Sequence, residues 1–235
     1  NQEQRIISFG RSTTGGAFQN DDLNDFYPAR LQEKLGHDYQ VLNQGVGGWT
    51  TWHIRYYIQS KLEQLSPDIV TLYVGHNDIL TAIPLPYKQL YQAWKLNQSN
   101  KNISRWLGQF RLYHAFRYFL ISLRSADSKV AVPIAHAKEN LSAIIELLDA
   151  DTEILLISEG LSPDPGLLHP YNQMMQELAE QHSNVHYLPI AEYLHNYPAH
   201  EIFLDDCHLT EQGHQLLANE LYEFIQQEKR NHNER

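Results

Sequence analysis

Short apolar runs rich in β-branched residues alternate along the chain with longer stretches whose apolar residues recur every three or four positions. The first run, Ile6-Ile7-Ser8-Phe9, enters a Gly-rich turn, Gly10-Arg11-Ser12-Thr13-Thr14-Gly15-Gly16. An apolar run without alternation suits a strand covered on both faces of a parallel sheet. Asp22 to Leu35 has helical spacing through Leu23, Phe26, Leu31 and Leu35 and ends at Gly36; Pro28 within it predicts a late start or a kink. Tyr39 to Asn43 predicts a second strand, and the second glycine turn, Gly45-Val46-Gly47-Gly48, follows it. Thr50 or Thr51 can cap the next helix, which carries Ile54, Ile58, Leu62 and Leu65 and is stopped by Ser66-Pro67-Asp68. The run from Ile69 to Val74 predicts a third strand ending in Gly75-His76-Asn77-Asp78.

From about residue 83 to 132 the pattern loosens, opening on Pro84 and Pro86 and then a polar cluster between Gln92 and Asn102. Trp106, Phe110, Tyr113, Phe116, Tyr118 and Phe119 follow, interspersed with Arg105, Arg111, Arg117 and Arg124. This segment reads as one or two helices inserted between core units. Its aromatics either pack on the core or form a lid or membrane-facing surface. Regular order resumes with a helix through Ile134, Leu141, Ile144, Ile145 and Leu148, then a strand from Ile154 to Ser158. Pro163, Pro165 and Gly166 mark a loop, Tyr171 to His182 a helix, and Val185 to Leu188 the last strand. After Phe203-Leu204-Asp205-Asp206-Cys207-His208-Leu209, Thr210 caps a final helix through Leu217, Leu221, Phe224 and Ile225, and Gln226 to Arg235 reads as a frayed, solvated tail. Five strands alternating with helices imply an α/β protein: a three-layer α/β/α sandwich on a five-stranded parallel sheet in flavodoxin-like order. No repeat or linker divides the chain, so residues 1–235 read as one domain with an insert at about 83–132.

Composition narrows the function classes. A net charge of −10 argues against a nucleic-acid binder held by phosphate contacts. No apolar run is long enough to span a bilayer, and no basic-then-apolar leader precedes the first strand; because that strand begins almost at Asn1, a trimmed or processed form is expected. The single cysteine, Cys207, excludes an internal disulfide and a thiolate zinc cluster. Compartment stays open, with export or the periplasm somewhat favoured.

Polar or Gly-rich stretches follow the first, second and third strands, and another follows the last strand. In an open parallel sheet those positions share one edge, where ligands bind. Taken alone, Ser12 reads first as a helix cap, and a lone His or Asp as a loop or solvated residue. As an ordered set, Gly10-Arg11-Ser12-Thr13-Thr14-Gly15, Asn43-Gln44-Gly45-Val46-Gly47-Gly48, Gly75-His76-Asn77-Asp78 and Asp205-Asp206-Cys207-His208 resemble the SGNH hydrolases, the GDSL-like esterase and lipase superfamily. The resemblance spans the chain apart from the aromatic insert.

That resemblance implies a serine-dependent carboxylic-ester hydrolase acting through an acyl-enzyme on a small acyl or lipid ester. It makes Ser12 the nucleophile, His208 the base and then the acid, and Asp205 the orienting carboxylate, with Asp206 as its rival. Oxyanion donors would be the Ser12 N–H, the Gly48 N–H and the Asn77 amide, while Gly45 and Gly47 shape their turn and Asp78 anchors the one after the third strand. Arg11 departs from the family's motif, which has Asp before the serine. It either pairs with a nearby carboxylate such as Asp21 or Asp22, or binds substrate and tunes the site toward anionic esters; His76 could also line the pocket. The scattered histidines have no metal-ligand spacing, and no phosphate or dinucleotide fingerprint occurs, so neither metal nor cofactor is expected. The expected partner is a small-molecule ester, with membrane contact through the insert left open. Two alternatives remain: transfer of the acyl group to a sugar or polymer hydroxyl, and a silent binding module of the same fold.

Overall fold

Strand β1 (Gln4–Gly10) lies inside a five-stranded, wholly parallel sheet, flanked by β2 (Tyr39–Asn43) and β3 (Ile69–Tyr73) and continued by β4 (Glu153–Ile157) and β5 (Val185–Leu188) in the order β2-β1-β3-β4-β5. This is the α/β architecture and flavodoxin-like order that the apolar runs predict. The computed structural model describes residues 3–16, 22–80, 130–161 and 166–233, so the expected aromatic insert lies almost wholly outside the described residues.

Helices cover both faces. On one, α3 (Thr51–Leu65), α5 (Ile134–Leu147) and α6 (His169–Ala179) enclose Ile7, Phe9, Val70, Leu72, Ile154 and Leu156. On the other, α2 (Tyr27–Leu35) and α9 (Glu211–Asn233) pack over Ile6, Tyr73, Leu155 and Ile157. Because side chains alternate along a strand, β1 from Ile6 onward and β3 supply both layers, and these residues are buried on both sides. Truncating a fully buried residue such as Leu72 to Ala costs about 2–5 kcal/mol here.

Three boundaries differ from the expected ones. The helix expected from Asp22 is a 3₁₀ turn, Leu23–Asp25, followed by α2 from Tyr27. Pro28 stands in the first turn of α2, where its missing N–H has no intrahelical partner to lose. Helix α6 begins at His169, with Pro170 in its first turn, and ends at Ala179. The expected frayed tail is helical through Asn233, because α9 lays Leu217, Leu221 and Ile225 against the sheet and its last turns continue from that anchor. Thr210 does cap α9, its Oγ1 accepting the Gly213 N–H at 3.1 Å. At α3, Thr50 sits at the cap position with its N–H and hydroxyl on His53 Nδ1, while the Thr51 N–H is taken by a carboxylate from another loop, Asp78. No helix among the described residues is long and apolar enough to cross a membrane.

Candidate active site

All strand carboxyl ends reach one edge of the sheet, and the polar stretches gather there. The chain leaves β1 at Gly10 and enters a single helical turn, α1 (Ser12–Gly15), closed by the Thr14 and Gly15 N–H groups on the Arg11 carbonyl. The turn after β2 presses against it. A Cβ on Gly15 would collide with the Gly45 carbonyl, and one on Gly45 with Gly15 N and Thr14, so only a glycine pair permits this approach. Asn43 locks the two turns together: Nδ2 donates to the Thr14 carbonyl at 2.7 Å and Oδ1 accepts from the Gly45 N–H at 3.0 Å. Gly45 therefore shapes the turn, and Gly47 stands beside the serine, a Cβ on it falling 3.9 Å from Ser12 Cβ.

Ser12 Oγ lies 2.8 Å from His208 Nε2, although the two residues are 196 positions apart. The other ring nitrogen, Nδ1, is 2.7 Å from Asp205 Oδ2. A carboxylate can only accept, so the ring proton sits on Nδ1 and Nε2 accepts the serine hydroxyl. Asp205 Oδ1 accepts the N–H groups of Cys207 and His208, at 2.9 and 2.8 Å. Partial burial, the largest single influence on this carboxyl, opposes ionisation. The two backbone N–H groups and the His208 ring together outweigh it and hold the group down at about 2. Asp206, the rival, is exposed and makes no hydrogen bond to another described group.

Asn77 lies in α4 (His76–Ile79), the turn that follows β3. Its Nδ2 donates one hydrogen to the Trp49 carbonyl at 2.8 Å, which fixes the amide and leaves the second hydrogen with no acceptor among the described residues. Gly48 adopts φ +80°, the left-handed region, and its N–H, like that of Ser12, donates to no other described group. Asp78 does anchor this turn. Oδ1 accepts the Thr51 N–H, and Oδ2 accepts the Thr51 and Tyr171 hydroxyls, both at 2.7 Å. Burial pushes its carboxyl up to about 6, against the lowering effect of those donors. The carboxylate thus ties the start of α3, the Asn77 turn and α6 into one unit.

Arg11 does pair with a carboxylate, but its partner and the substrate-facing reading are both corrected. It is 1% exposed, so it neither faces substrate nor lends a free charge to anionic esters. Nor does it pair with Asp22, which is exposed; Asp21 lies outside the described residues. Its Nε instead meets Glu159 Oε1 at 2.8 Å, with both side chains buried, and the opposite charge raises the guanidinium pKa although burial alone would lower it. Glu159 was missed in the sequence. The available signal was its position, two residues beyond the apolar strand β4 and so at the same edge as Ser12. His76 is half-buried, and its pKa is lowered by burial and then by the Arg11 charge, which keeps the ring neutral. Among the described residues, one group brings three candidate metal ligands within 4.8 Å: Asp205, Cys207 and His208. Its atoms already have partners, Asp205 Oδ2 on the His208 ring and Cys207 Sγ on Arg11, and a cation there would also meet the guanidinium 3.4 Å from the sulfur.

The arrangement can raise a hydroxyl's nucleophilicity, return a proton to a leaving group, and offer N–H donors to an anion forming nearby. Residues 8–216 match the GDSL-like Lipase/Acylhydrolase family. Comparison with curated proteins finds no match. Solved structures with this fold include an acetyl xylan esterase, at TM-score 0.64 and 16% identity, covering 94% of this chain and 99% of that one. Another is a lipolytic protein of the G-D-S-L family from Veillonella parvula, at 0.61 and 16%, covering 94% and 97%. A third is a catalytic mutant of an acetylxylan esterase from Geobacillus stearothermophilus, at 0.57 and 16%, covering 93% and 92%. At these identities the likeness is one of fold.

Proposed function

We propose that this chain, which belongs to the GDSL-like lipase/acylhydrolase family and is therefore an ester-bond hydrolase, cleaves small acyl esters through a covalent acyl-enzyme on Ser12. The carrying observation is the unbroken chain from Ser12 Oγ through the His208 ring to Asp205. In this reading Oγ attacks the ester carbonyl carbon while His208 Nε2 takes the hydroxyl proton. The tetrahedral oxyanion is met by the Ser12 and Gly48 N–H groups and the second hydrogen of Asn77 Nδ2. Collapse breaks the bond to the alcohol oxygen, which leaves with the proton from Nε2. Water then enters, gives its proton to Nε2, and attacks the acyl carbon; the carboxylic acid departs and Ser12 Oγ recovers the proton. Asp205 holds the imidazole in the required tautomer and stays ionised as the ring becomes positive. His76 is assigned to the substrate-facing wall as a neutral ring beside Asn77.

A small acyl group suits a serine flanked by Gly47, where no side chain stands in front of the carbonyl. Two of the similar structures are named as acetylxylan esterases, which makes acetylated sugars the first substrates to try. The test is turnover of a chromogenic ester series of increasing chain length beside acetylated sugars, with fluorophosphonate labelling of the protein. Ser12→Ala should abolish labelling and lower kcat by about 10⁶-fold. A folded Ser12→Ala protein that still hydrolyses esters would remove Ser12 from the nucleophile role.

A further inference from the structure

Three separate segments carry the proposed reacting groups, and each touches one buried ion pair at the residue just before its reacting group. Arg11 precedes Ser12. Its Nη2 donates to the Cys207 carbonyl at 2.9 Å and its Nη1 to Cys207 Sγ at 3.4 Å, and Cys207 precedes His208. Glu159 divides its two oxygens: Oε1 takes Arg11 Nε, and Oε2 accepts the His76 N–H at 2.7 Å, and His76 precedes Asn77. Thr13 adds a weaker bond to the same Cys207 carbonyl, at 3.3 Å.

From this geometry we infer that the Arg11–Glu159 pair is a positioning device that fixes Ser12, His208 and Asn77 relative to one another, with its partners the Cys207 carbonyl and the His76 N–H. The inference rests on the Ser12 reading above. A guanidinium suits the task because its N–H groups leave a rigid plane in set directions, so one side chain reaches Glu159 and two atoms of Cys207 at once. Lysine, a point charge on a flexible stem, cannot hold that spread. Folding alone does not call for such a pair, since well-packed apolar residues commonly replace a buried ion pair without loss of stability. Acyl transfer does call for it. The hydroxyl, the base and the oxyanion donor come from three loops, this pair bonds to the residue before each of the last two and supplies the residue before the first, and a displacement of about 1 Å costs roughly 100-fold in rate. Arg11 and Glu159 touch no substrate in this scheme and act only through their neighbours.

The experiment compares the wild type with Glu159→Gln, with the double variant Arg11→Met/Glu159→Leu, and with Ser12→Ala. Readouts are p-nitrophenyl acetate kinetics normalised to folded protein, the rate of fluorophosphonate labelling, and urea unfolding. Glu159→Gln keeps the shape of the site, and its kcat and labelling rate should fall about 10- to 100-fold with KM within about threefold. The double variant leaves no unpaired buried charge, so its unfolding midpoint should fall only by the lost bonds to the Cys207 carbonyl and the His76 N–H, yet kcat should stay at least about 100-fold down. A purely structural role would restore activity along with stability. The inference is overturned if either folded variant turns over ester within about threefold of the wild type while Ser12→Ala is inactive. Activity in Ser12→Ala would instead bring down the nucleophile assignment beneath it. Should the double variant not fold, the KM-against-kcat split of Glu159→Gln decides alone.

Discussion

The two ends of β1 each present an arginine, and the two edges of the sheet use it in opposite ways. At the amino edge Arg5 is half-buried, and among the described residues its guanidinium meets neutral side-chain and backbone acceptors: Gln40 Oε1 at 3.0 Å and the Leu65 carbonyl at 2.8 Å. Its backbone N–H reaches Asp68, and the polar cavity beside it, about 630 Å³, is also lined by Asp149 and Asp151. Water reaches this edge, so the charge closes a loop without depending on any single partner. At the carboxyl edge Arg11 is sealed from water, and one carboxylate balances it. The parallel arrangement explains the asymmetry. Every strand delivers its following turn to the carboxyl edge, so several loops must be held in mutual register there.

Glu159→Ala tests the contrast most severely. It leaves the Arg11 charge buried and unpaired, and should lower the unfolding free energy in urea by about 3–5 kcal/mol. A loss below about 1 kcal/mol would mean that the two edges treat charge alike. Next comes Asn77→Ala, which removes one proposed oxyanion donor and the bond to Trp49. Its kcat should fall about 100- to 1000-fold, whereas normal turnover by the folded variant would take Asn77 out of the site.

A graded effect separates the two aspartates of the carboxyl edge. Asp205 is held down at about 2, so its contribution to stability is complete above the ordinary 3.8 and is lost only as pH falls from there toward 2. Asp78 is pushed up to about 6 by burial, so its folded form holds a proton that the unfolded chain has already released. Its contribution is complete below 3.8 and is lost as pH rises through 6. Unfolding in urea from pH 4 to 7 should therefore show Asp78→Asn gaining on the wild type as pH rises. A constant difference would place the Asp78 carboxyl near its ordinary value. The smallest effect belongs to Arg5→Ala, about 1 kcal/mol in unfolding with kcat unchanged; a large fall in turnover would show the amino edge coupled to the chemistry.

The sheet could be read from the chain because its evidence is local. Ile69 to Val74 is apolar at nearly every position, and only a strand covered on both faces explains so short a run. Boundaries were less legible. A proline such as Pro28 reads as a break until a helix is seen to begin one residue before it. At the site, the motif blocks pointed to Ser12, Asn77, Asp205 and His208, and the distances that join the serine, the ring and Asp205 follow from the fold. What connects the loops was not legible. Glu159 lies 148 positions from Arg11, and no periodicity or motif links them. The nearby Asp22 therefore looked the better partner for Arg11, although partners of a buried charge are chosen by tertiary packing. The Asp78 cap on α3 escaped for the same reason: its donor, the Thr51 N–H, sits 27 residues upstream where a local threonine looked sufficient.

The 196-position separation of Ser12 from His208 has a consequence for biosynthesis. A ribosome delivers the hydroxyl early and the imidazole only after all five strands have been made, so in the proposed mechanism a nascent polypeptide lacks its base until that late loop emerges. By the same scheme a translation product halted in between holds the serine without its general base however much of its sheet has assembled, and a protein cut there would recover the pair only when its fragments reassociate.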